Sequence, residues 1–119
     1  MARYSSTLNK FVRGDDVAPV PSASRAASGN SGWLSCEEYS TMVLTLAITV
    51  DNLTTLDVVV ETADDMAGTN PRAVTGSPFA QQTVVSSTRK TFSGFDTAYR
   101  VTWTLVGTSG TFSVTGYAK

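Results

Sequence analysis

The sequence predicts an all-β protein: an antiparallel β-sandwich of about eight strands, jelly-roll-like, preceded by an extended N-terminal arm. Three observations carry that expectation. Residues 98–119, AYRVTWTLVGTSGTFSVTGYAK, alternate apolar and polar side chains on both sides of a glycine-bracketed tetrapeptide. Residues 41–51 and 56–62 repeat the alternation. Thr, Ser, Val and Gly dominate, and residues that favour long helices are sparse. Successive side chains leave opposite faces of a pleated backbone, so period two marks a strand, whereas a helix repeats its apolar positions every third or fourth residue.

Within 98–119, Tyr99, Val101, Trp103 and Leu105 share one face with Phe112 and Val114, and the intervening Thr and Ser residues share the other. Gly107-Thr108-Ser109-Gly110 between the two runs predicts a β-hairpin turn. In 41–51, Met42, Leu44, Leu46, Ile48 and Val50 form an apolar face; Asp51-Asn52 predicts a turn; and Leu56, Val58 and Val60 point inward from a third strand. The expected core is Met42, Leu44, Leu46, Ile48, Val58, Val60, Val101, Trp103, Phe112 and Val114.

The remaining segments are weaker. Residues 17–28 contain Pro19 and Pro21, which cannot donate to a ladder, so they predict an edge strand or an extended crossing segment. The run 29–32, Gly-Asn-Ser-Gly, is a turn signal before a short strand over 33–36. Residues 63–78 read as a long polar connection, a length usually functional or mobile inside a compact domain. Two short strands are expected at 79–83 and 88–92. Residues 1–16 lack periodicity and form the arm; residues 17–119 form the sandwich domain.

Composition narrows the function. The chain has 119 residues, enough for one domain, and its nine Lys+Arg nearly balance ten Asp+Glu. Without a basic patch no nucleic-acid partner is expected. The longest apolar run, 42–50, is too short to cross a bilayer, so no membrane partner is expected. The polar N-terminus has no signal-peptide core, which predicts a soluble protein made in a cytoplasm. There is no histidine, hence neither the usual general base nor the commonest metal ligand. Cys36, the one cysteine, sits in a strand-like run and reads as a buried, inert thiol.

The chemical motifs that remain are short. Glu37/Glu38 and Asp64/Asp65 are the candidate carboxylate pairs for glycoside hydrolysis, but adjacent side chains on extended backbone point apart. Asp64, Asp65 and Asn70 supply oxygens without the spacing of a calcium loop. Arg13-Gly14-Asp15 is an integrin-type tripeptide with no displaying loop, and Asn52-Leu53-Thr54 is a glycosylation sequon without a secretory signal. Trp33 and Tyr117 are candidate surface aromatics for a sugar. The expectation is no enzyme, no cofactor and no metal.

Two stretches carry a family resemblance: LDVVVETADD at 56–65 and FSGFDTAYRVTWTLVGTSGTFSVTGYAK at 92–119. Together with the sandwich pattern, they resemble small virion proteins of tailed bacteriophages, of the head-decoration, minor-capsid or tail type. The layout is also similar to galactose-binding and discoidin-like sandwiches, although residues 62–68, TADDMAG, lack the tryptophan that follows there. The phage resemblance implies a capsid decoration or minor capsid protein on the virion surface. Its partners would be the major capsid protein or other virion proteins, and copies of itself in a homo-oligomer, by analogy a trimer. The alternative is a carbohydrate-binding or host-recognition module of a phage tail. The arm is the candidate attachment element. Arg3, Lys10 and Arg13 would meet an acidic surface, and Tyr4, Leu8, Phe11 and Val12 are spaced as apolar anchors that order on a partner.

Overall fold

The computed structural model describes residues 15–119 in full and, before them, only the backbone of β1 (Tyr4–Ser5) and β2 (Lys10–Phe11), which pair antiparallel. The rest is all β, without a helix among the described residues: β3 (Asp15–Arg25), β4 (Gly29–Asn30), β5 (Leu34–Ser35), β6 (Thr41–Ala63), β7 (Arg72–Ala73), β8 (Ser86–Ser93) and β9 (Ala98–Ala118). These last seven strands form one antiparallel sheet.

Two expectations are corrected by β6 and β9. Residues 98–119 are not a hairpin: β9 is a single 21-residue strand that runs through Gly107 and Gly110. Residues 41–51 and 56–62 are likewise not separate strands but parts of the 23-residue β6, which continues through Asp51 and Asn52. The two strands pair from Met42↔Ala118 to Ala63↔Ala98, with register shifts confined to the stretch from Ile48 to Thr55. A chain that satisfies its backbone on a neighbouring strand has no need to pair with itself, so the glycines bend the ribbon instead of reversing it. A straight strand would set residues 103 and 112 about 30 Å apart. Their rings are in edge contact, with centroids 5.8 Å apart, so β9 doubles back between them. Gly107 makes the corner with φ of 126°, where a Cβ would lie 2.7 Å from the Leu53 Cα.

Every other element follows this bent ribbon. Along one side of β9, β3 pairs with its C-terminal half, while β4 and β5 pair with its N-terminal half. Along the far side of β6, β8 pairs with residues 41–48, then a Leu56↔Gln82 bridge and β7 carry the pairing on to Thr62. The strand expected at 79–83 is reduced to that bridge, and the one expected at 88–92 is the longer β8. The edge strand expected at 17–28 is β3, which begins at Asp15, two residues inside the expected arm. It carries Pro19 and Pro21 and shifts register between Val17 and Ala23.

Both halves of the ribbon feed one core. Met42, Leu44, Leu46, Ile48, Phe112 and Val114 from one half are buried with Leu56, Val58, Val60, Tyr99 and Val101 from the other. Phe79 packs edge-on against Phe92 of β8 at 5.1 Å. The expected core holds with one correction. Trp103 is only half-buried, because its indole N–H lies near the edge and donates to the Ala27 carbonyl at 3.0 Å. Arg25 clamps the same edge: its guanidinium donates to the carbonyls of Pro21, Ala23 and Phe112 and stacks on the rings of Phe112 and Trp103.

Phe112→Ala, at a fully buried site, should destabilise by about 3–5 kcal/mol in urea melts. Trp103→Ala should cost less, about 1–3 kcal/mol, since its ring is only partly buried at the edge of the core. Equal losses would mean that the two rings are equally buried.

Candidate functional site

The bent ribbon has two ends. At one end all the chain's passes bend. At the other lie the connections 36–40, 64–71 and 94–97, together with the start of β3, where the arm leaves. Contacts join this second end into one surface. Asp15 pairs with Ala118, and its carboxylate accepts a bond from the Tyr39 hydroxyl at 2.6 Å. The amides of Ser40 and Thr41 donate to the Lys119 carbonyl, and the Cys36 amide donates to Thr97. Arg72 bridges Asp64 at 3.0 Å and Asp96 at 2.8 Å. Asp15, Asp16, Glu37, Glu38, Asp64, Asp65 and Asp96 all lie on these segments, against Arg72 and Lys119, so the arm departs from an acidic end.

The expected arm anchors Arg3, Leu8, Val12 and Arg13 fall outside the described residues, as do the side chains of Tyr4, Lys10 and Phe11. Of the tripeptide at 13–15, only Asp15 is described, and it is held in β3.

The candidate chemistry is taken up by the fold's own bonds. Asp64 accepts from Asn70 and Arg72, in that order the main reasons its carboxyl is held below the usual carboxylate range. Asp65 accepts from the Thr69 hydroxyl and from the amides of Thr69 and Ala67, and Thr69 holds it low in the same way. Asn70 therefore turns its nitrogen toward Asp64, and no cluster of three or more Asp, Glu, Cys or His among the described residues is placed to hold a metal. The connection expected to be long and polar is tied down by these turns and by β7. An open cavity of about 320 Å³ is lined by Ser35, Cys36, Glu37, Glu38 and Tyr39. Its thiol is buried, donates to the Asp96 carbonyl at 3.2 Å, and is pushed up to about 11 by burial, then by Asp96 and Glu37. That is the environment of an inert cysteine, since the thiolate is the nucleophile.

The aromatic rings are covered as well. Trp33 carries the Arg100 guanidinium over its ring at 4.5 Å and has Gly68 against its indole nitrogen. Arg100 is itself held by Glu61 at 3.0 Å. Tyr117 carries Arg89, whose guanidinium also donates to its hydroxyl at 3.1 Å. Phe95 packs edge-on against Tyr99. A sugar would have to displace an arginine from either surface aromatic singled out in the sequence.

What sequence reasoning missed lies at the bend end. Val50, Val84, Val85 and Val106 are exposed there at 50, 62, 58 and 54%. Val50 and Val106 sit in strand-like alternation, and only the bend exposes them together; the Val84-Val85 pair after a glutamine-rich stretch was the available signal. Against this geometry, comparison with protein-family models, curated proteins and solved structures finds no match.

Cys36 and Tyr99 make stability fall at high pH. Burial is the first cause for both, and it raises the thiol from 9.0 to about 11 and the phenol from 10.0 to about 12. The folded chain keeps protons that the unfolded chain has lost, so the stability is fully present below the unfolded values and is lost as pH rises through the folded ones. The urea midpoint should drop from about pH 9 to about pH 12, and Cys36→Ala should remove the part that begins near the thiol's unfolded value. A midpoint that holds or rises over this range would contradict the burial of both groups.

Proposed function

We propose that this chain is a bacteriophage virion structural protein, a jelly-roll sandwich that binds the assembled capsid as a decoration or minor capsid protein and attaches through its sandwich and its N-terminal arm. The strand order carries the reading. Taken in chain order, the passes divide at the bends into eight: 15–25, 29–35, 41–50, 53–63, 72–82, 86–93, 98–107 and 110–118. One layer then runs first, eighth, third, sixth, and the other second, seventh, fourth, fifth. This interleaving is what a rolled antiparallel ribbon produces, the jelly-roll arrangement used by viral capsid domains, lectins and cupins. A chain with no histidine is poorly suited to metal chemistry of the cupin kind. The arginine-covered rings weigh against a stacking lectin. The capsid reading asks only for a stable body and an attachment element.

The charge distribution suits that division of labour. Arg3, Lys10 and Arg13 supply three of the nine Lys+Arg, and none of the ten Asp+Glu precedes Asp15. A basic, anchor-bearing segment therefore precedes a body with the opposite sign, and docks on the capsid. Exposed ion pairs are worth little and weaken with salt, so the apolar anchors dominate. Deleting residues 1–14 should leave the body folded by circular dichroism and sharply reduce occupancy on purified particles. Phe11→Ala, which forfeits about 1.5–3 kcal/mol of burial, should reduce it more than Lys10→Ala at physiological salt. Undiminished binding by the truncated chain would rule the arm out as the attachment element.

A further inference from the structure

We infer that the cavity at the acidic end seats the Arg13 guanidinium of the chain's own N-terminal segment, which docks residues 1–14 on the body before any partner is met. The cavity, about 320 Å³, is lined by Ser35, Cys36, Glu37, Glu38 and Tyr39. Glu37 and Glu38 are the central residues of a turn, closed by the Tyr39 amide donating to the Cys36 carbonyl at 3.0 Å. The turn brings two adjacent acidic residues to one cavity, where extended backbone would hold them on opposite faces. Cys36 is buried there and donates to the Asp96 carbonyl, so the two glutamates set the charge of the cavity.

Chain length and charge select the occupant. The Tyr39 hydroxyl donates to the Asp15 carboxylate at 2.6 Å, so the cavity wall touches the first residue of β3. Arg13 stands two residues before Asp15, at most about 7 Å away between Cα atoms. The end of β2 at Phe11 is held within about 14 Å of Asp15 in the same way. β1 and β2 pair with each other and not with the seven-stranded sheet, and so short a hairpin is not stable alone, so it must pack on something within that reach. Residues 1–14 carry Arg3, Lys10 and Arg13 and no Asp or Glu. On the neighbouring connections, Arg72 is already bridged to Asp64 and Asp96. A guanidinium meets carboxylates through its fork of donors. A divalent cation asks for more ligands, and no cluster of three or more Asp, Glu, Cys or His among the described residues is placed to hold one. The tether also presents Arg13 at the millimolar effective concentration of a short linker, ahead of the same residue from another copy. This seat goes beyond capsid attachment: it lies on the chain itself and fixes where the anchor-bearing residues set out.

The contact is read in the full chain, without particles. In nuclear Overhauser spectra the Arg13 side chain should show contacts to the Tyr39 ring. Arg13→Gln should move the amide resonances of residues 35–39 and leave those of 50–54 and 106–110 in place, and Arg13→Lys should fall between the two. Glu37→Gln and Glu38→Gln should each lower the ratio of seated to unseated chain by up to about fivefold, the scale of an exposed ion pair. Raising the salt to about 1 M, where the Debye length is about 3 Å, should carry the parent's resonances toward their Arg13→Gln positions. Absence of the Arg13–Tyr39 contacts would overturn the inference. So would resonances at 35–39 that ignore Arg13→Gln, or changes as large at the bend end as at the cavity. Loss of particle binding on deleting residues 1–14 bears on capsid attachment alone, so the two readings fail separately.

Discussion

The pairing of β6 with β9 is the constraint on which the structure depends. The two strands share one ladder from Met42↔Ala118 to Ala63↔Ala98, and that ladder turns a corner without ending. Because the register shifts fall between Ile48 and Thr55, each half keeps its inward parity, and the apolar side chains of both halves meet in one core. A one-residue slip in either half would turn its apolar set to solvent. At Gly116 the strands come so close that a Cβ would collide with the Val43 carbonyl. That approach packs the ribbon tightly just beside the point where the arm departs.

The outer elements protect the ribbon's edges. An exposed strand edge is a template for pairing. On the β3 side, Pro19 and Pro21 remove donors, and the Arg25 guanidinium covers the carbonyls of Pro21, Ala23 and Phe112. On the β8 side, Thr75 bridges Ser93, and Lys90 reaches across to the Pro78 carbonyl at 3.0 Å. Both edges are blunted in this way, and the two ends of the ribbon differ in charge. One end is acidic and gives rise to the basic arm; the other is nearly uncharged and apolar.

Much of this was legible from period-two alternation. It located the β6 and β9 faces, apart from Val50, which the register shift after Ile48 turns to solvent, and, except for half-buried Trp103, every residue of the expected core. Alternation is blind to direction, however. A glycine-bracketed tetrapeptide at 107–110 has the same local signature whether it reverses the chain or bends it, and only the partner strand decides. The same ambiguity split β6 at Asp51-Asn52. Prolines marked the β3 edge correctly because their effect is local. The covering of Trp33 by Arg100 was not legible, since it joins residues far apart in sequence. Nor were the exposed valines at the bend end, which lie on two passes and one connection far apart in sequence. Of the arm anchors, read from spacing alone, Leu8 and Val12 lie outside the described residues, as do the side chains of Tyr4 and Phe11.

Backbone contacts across the corner decide between a bent ribbon and a local hairpin most directly. In nuclear Overhauser spectra of the labelled full chain, the account predicts cross-strand backbone contacts of Leu46 with Val114 and of Val58 with Trp103, together with Val20 to Val114 at the next strand. A hairpin ladder of 98–106 on 111–118, closed over Gly107 and Gly110 with those three pairs absent, would contradict it.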